Sequence, residues 1–90
     1  MEKLLYVLRN SKGEEIRVYF IEDFEEIYIE GATITNNNDD CITLINEFNE
    51  NYFVDFVSDY FIENCLDEML ERQENEELTE RESYLLSACL

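Results

Sequence analysis

The fold class this sequence predicts is α+β: a three-stranded antiparallel sheet followed by two or three helices packed on one face. Three observations predict it. Residues 4–29 contain short apolar runs of β-type residues around a Gly-containing turn. From residue 42 onward, apolar residues recur at helical spacing. No Pro and no Gly/Ser-rich linker divides the 90 residues, so a single α+β domain over 1–90 is expected.

The strands come first. Residues 4–8 form an apolar run, Asn10-Ser11-Lys12-Gly13 supplies turn chemistry, and Ile16, Val18 and Phe20 then alternate with Glu15, Arg17 and Tyr19. That pattern reads as a β-hairpin. Ile27 and Ile29, extended through residues 32–34, make a third strand, with Gly31 as a bulge or kink. Residues 36–40 are a polar loop in which Asp39 or Asp40 is placed to cap a following helix.

The helices follow. Ile42, Leu44, Ile45 and Phe48 recur at helical spacing before a polar break at 49–51. The longest helix is expected over 52–72. Val54, Val57, Phe61, Cys65 and Met69 form one stripe with Leu66 and Leu70 beside it, and Phe53, Phe56 and Tyr60 form a second. Apolar coverage that wide suits a central helix, and it also allows a homodimer. After a polar connector, Thr79-Glu80-Arg81-Glu82 fits a capping box opening a short final helix through Leu85 and Leu86.

Charge sets this chain apart. Twenty-three acids face six bases, giving −17. Residues 1–20 carry net +1 and residues 21–90 carry net −18. The balance argues against direct nucleic-acid binding, where Lys and Arg must neutralise phosphates, and against anionic membrane surfaces. A basic protein partner fits, including one whose groove normally holds nucleic acid.

Within the acidic part, Asp55, Asp59, Glu63, Asp67 and Glu71 fall four residues apart. On one helix they would make a ridge of roughly 24 Å, stepping about 6 Å at a time. Like charges at this spacing cost about 0.2–0.5 kcal/mol per pair. A surface shaped only by solubility would mix signs. Glu68 and Glu74 extend the acidic face, and Tyr52 and Tyr60, near its start, are candidate interface anchors. A second acidic group is Glu22, Asp23, Glu25, Glu26 and Glu30.

Other chemistries find little support. With no His in the chain, Cys–His and Ser–His nucleophile pairs are excluded, and no catalytic residue is assigned. Gly13 and Gly31 are the only glycines, too few for a phosphate-cradling loop. Asn36, Asn38, Asp40 and Glu47 have the spacing of a Ca²⁺ loop, but Cys41 stands where the sharp turn needs Gly, so no metal and no cofactor is expected. Cys41, Cys65 and Cys89 lack a paired spacing and read as reduced thiols of a cytoplasmic protein.

In size, charge, absence of His and a sheet-plus-helices layout, the chain resembles the small acidic inhibitors encoded by phages and mobile elements, among them anti-CRISPR and anti-restriction proteins that imitate DNA. The resemblance implies a stoichiometric, non-enzymatic inhibitor in the host cytoplasm. It would occupy the basic groove of a nuclease or other DNA-binding defence protein. Two other readings stand beside it: an antitoxin or immunity protein for a basic toxin, which shares the electrostatics, and a non-inhibitory interaction or assembly subunit, in which the apolar surface of helix 52–72 would dominate.

Overall fold

The computed structural model describes residues 1–30, 41–47 and 51–90. It is α+β, with a four-stranded antiparallel sheet and two α-helices. In chain order come β1 (Glu2–Arg9), β2 (Glu15–Ile21), β3 (Glu26–Ile29), a 3-10 helix (Thr43–Glu47), β4 (Phe53–Val57), α1 (Asp59–Glu74) and α2 (Glu80–Cys89). The strand order is β3-β2-β1-β4, so the fourth strand returns beside the first.

The β1–β2 hairpin forms where the sequence places it. Gly13 sits at φ +85°, a conformation that L side chains rarely adopt. Asn10 braces the turn: its side-chain oxygen accepts from the Lys12 and Glu14 amides at 3.0 and 2.9 Å. β3 is Glu26–Ile29 among the described residues; its expected extension through 32–34, the Gly31 kink and the Asp39/Asp40 cap lie outside them. The helical spacing after residue 42 is realised as the 3-10 helix, which buries Leu44 and Ile45.

The principal correction concerns residues 52–72, which do not form one helix. Phe53–Val57 is an edge strand paired with β1, and the helix starts only at Asp59. The register explains why the spacing misleads. Val57 pairs with Tyr6 and Val54 with Leu8, while Phe56 pairs with Val7 and Phe53 with Arg9. Asp55 is the extra residue of a bulge. Cross-strand partners share a face, so Val54 and Val57 point together into the core and Phe53 and Phe56 together away from it. The bulge stretches the two-residue repeat of a strand to three residues, which imitates a helix. With the long helix gone, Phe53 and Phe56, part of the apolar coverage that allowed a homodimer, stand exposed on β4 instead.

Ser58 joins strand to helix. Its hydroxyl oxygen accepts from the Phe61 amide at 3.1 Å as the N-cap of α1, and the same hydroxyl donates to the Leu4 carbonyl. The Ser58 amide bonds the Leu5 carbonyl at 2.9 Å. α1 is thereby anchored to β1, and Phe61, Cys65 and Met69 are pressed into the core. Tyr6, fully buried, packs edge-on against Phe61 with ring centroids 5.5 Å apart. Its hydroxyl donates to the Cys41 carbonyl at 2.9 Å.

The capping box of α2 is present. Thr79 Oγ1 accepts from the Glu82 amide at 3.2 Å, and the Thr79 amide donates to Glu82 Oε2 at 3.1 Å. It also serves tertiary structure. Asn46, on the 3-10 helix, donates to Glu82 Oε1 and accepts from Thr79 Oγ1, both at 2.9 Å. These donors satisfy a carboxylate that is only 3 % exposed.

Candidate functional site: the acidic face of α1

Asp59, Glu63, Asp67 and Glu71 all lie on α1 and all are exposed. A residue advances roughly 100° around a helix, so each step of four drifts by about 40°. The four acids therefore sweep about 120° and span roughly 18 Å of axis. Phe61, Cys65 and Met69 occupy the opposite side and are buried. Burial of that stripe fixes the rotation of the helix, and fixed rotation aims the acids at solvent.

Asp55 does not belong to this row. It sits on β4, where its carboxylate lies 3.3 Å from Arg9, itself bonded to Glu15. The row is thus four acids, not five. Glu68 is exposed but turned to the flank, pairing with Arg72 at 3.1 Å. Glu74 is the exposed last residue of α1. Among the described residues, none of Asp59, Glu63, Asp67 and Glu71 is in an ion pair.

The tyrosine anchors separate. Tyr60, in the first turn of α1, is half-buried, with Lys3 Nζ 6.0 Å from its ring centroid. Burial, followed by the nearby charge of Glu22, pushes its hydroxyl pKa up. Tyr52 precedes β4, and its carbonyl accepts from Arg81 at 3.0 Å. It does not stand on α1.

The second acidic group is dispersed by the β2–β3 turn. Asp23 pairs with the Met1 amino group at 3.0 Å and Glu30 with Arg17 at 3.7 Å. Glu25 occupies the left-handed region at φ +51°.

Sequence reasoning missed a groove of about 420 Å³ between β4 and α2, lined by Ile45, Tyr52, Phe53, Val54, Glu80, Arg81 and Tyr84. Phe53 and Tyr84 are exposed at its rim. The signal was unreadable while Phe53 and Val54 were placed on a helix. Among the described residues, no cluster of three His, Cys, Asp or Glu side chains could hold a metal, and no helix is long and apolar enough to cross a membrane. Of the Ca²⁺-type spacing, only Glu47 falls within the described residues.

No protein-family model matches the chain, and comparison with curated proteins and with solved structures gives no significant match.

Proposed function

We propose that the protein is a non-enzymatic, acidic inhibitor whose α1 face enters a basic, nucleic-acid-binding groove on a partner protein, in the manner of the DNA-imitating anti-CRISPR and anti-restriction inhibitors it resembles. The observation that carries the reading is the row Asp59, Glu63, Asp67 and Glu71: exposed, on one turning ridge, and without ion pairs among the described residues. Each like-charge pair at this spacing costs helix stability. A cationic partner converts that cost into attraction.

The geometry supports a phosphate-like role. One strand of duplex DNA carries a charge about every 3.4 Å of axis, and the winding backbone makes the through-space step longer. Carboxylates rising about 6 Å per step on a turning ridge present a comparable row. Glu74 prolongs it, and Glu68 borders it. Lys- and Arg-lined grooves of nucleases or other DNA-binding defence proteins in the host cytoplasm are the partner class this charge fits.

The test is capture of partners from host lysate on the immobilised chain, at ~0.05 M and ~0.5 M salt, followed by duplex DNA as competitor. The expected partner is retained at low salt, lost at high salt and released by DNA. Retention of a partner that ignores both salt and DNA would overturn the reading in favour of apolar assembly.

A further inference from the structure

The three cysteines, 24 residues apart in sequence, do not stay apart in the fold. The sulfurs of Cys41 and Cys65 lie 3.7 Å from each other. Cys65 is on the buried stripe of α1, and Cys41 is half-buried in the turn before the 3-10 helix. Both are free thiols. We infer that Cys41 and Cys65 form an oxidisable pair, a disulfide-forming modification site that ties the turn at residue 41 to the rear of the helix bearing the acidic row.

Three observations carry it. The sulfurs are already in contact, and closing them to a bond needs a movement of roughly 1.7 Å. Cys41 belongs to neither a helix nor a strand, so its turn can supply that movement. The Tyr6 hydroxyl holds the Cys41 carbonyl from within the core, which keeps the turn against α1.

The electrostatics select the oxidant. The mutual hydrogen bond of the two thiols pushes Cys41 up, with burial adding to the rise, and draws Cys65 down. Glu68 disfavours a thiolate at either position. In a chain of charge −17, an uncharged small disulfide should approach more readily than an anionic one. One protein thiolate attacks a sulfur of that disulfide and expels one small-molecule thiolate. The second protein thiol loses its proton, attacks the first cysteine's own sulfur in that mixed disulfide and expels the other small-molecule thiolate. Two protein thiols and one disulfide become one protein disulfide and two small thiols.

The experiment treats the folded, reduced full chain with bis(2-hydroxyethyl) disulfide and maps the product by non-reducing peptide mass spectrometry. The expected product is a monomer lighter by two hydrogens, with residues 41 and 65 linked and Cys89 still alkylatable. Its unfolding midpoint should rise by about 10–25 °C, because the bond closes a 24-residue separation. Cys89→Ser keeps the pair and should behave identically. Three thiols still free under conditions that oxidise the unfolded chain would overturn the inference. So would a linkage through Cys89, whose thiol is raised first by burial and then by Cys65, or an intermolecular one. Mapping on the unaltered chain decides the matter even where Cys41→Ser or Cys65→Ser fails to fold.

Discussion

The outer face of α1 and the outer face of the sheet both carry acids, and they treat them differently. On the sheet, Glu15, Glu30 and Asp55 each have an arginine: Arg9 reaches Glu15 and Asp55, and Arg17 reaches Glu15 at 3.5 Å and Glu30 at 3.7 Å. On α1, Asp59, Glu63, Asp67 and Glu71 have no ion pair among the described residues. Two of the four cations of residues 1–20, Arg9 and Arg17, are engaged with acids on the sheet side. Neutralised acids describe a folded surface at rest. The unneutralised row is the feature on which the proposed binding role rests.

The strongest way to break this comparison is to reverse charges in the middle of the row. Glu63→Lys with Asp67→Lys turns the pairs 59–63 and 67–71 from repulsive to attractive. The variant should therefore be as stable as the parent or more stable by about 0.5–1 kcal/mol in denaturant unfolding. Affinity for a captured basic partner should fall about 100-fold at ~0.1 M salt, with a flatter salt dependence. Unchanged affinity in a well-folded variant would mean that this face is solvated surface and nothing more.

The converse change belongs on the sheet. Arg9→Met keeps much of the aliphatic stem while leaving Asp55 without its cation and Glu15 with Arg17 alone. The Arg9 side chain is 40 % exposed, so solvent screens the loss. Stability should drop by about 0.5–1 kcal/mol, and affinity for the same partner should hold within about twofold. A large loss of affinity would move the interface from α1 to the sheet.

Much of this arrangement was legible in the residues themselves. Asn10 to Gly13 announced the hairpin because only certain residues suit its turn, and Thr79 with Glu82 announced α2 because a capping box is a local device. Four of the five ridge acids could be read, since Phe61, Cys65 and Met69 keep true helical spacing and place the acids opposite. What could not be read was tertiary. β4 exists because β1 offers it an edge far away in sequence, for instance where Arg9 meets Phe53 with Val54 at Leu8. β-Branched and aromatic residues at 53–57 favoured a strand, but their three-residue recurrence outweighed that hint. The contact between Cys41 and Cys65 was equally hidden, because no local rule brings a turn to the back of a helix.

The smallest expected effect is also the sharpest test of where the helical face begins. Asp55 is the residue that the β1–β4 register skips. Deleting it leaves Val54 opposite Leu8 and Val57 opposite Tyr6, now in an unbroken ladder with the same faces in and out. The deletion gives up the contact with Arg9 and shortens the approach from residue 51 by one position. A half-exposed ion pair of this kind is worth under about 1 kcal/mol, so unfolding should shift little and the exposed acids of α1 should bind as before. Were residues 52–72 one continuous helix, the same deletion would rotate everything before it by roughly 100° and pull Val54 out of the core. A loss of about 3 kcal/mol or more would therefore return Asp55 to the helix and undo the separation of the two acidic faces.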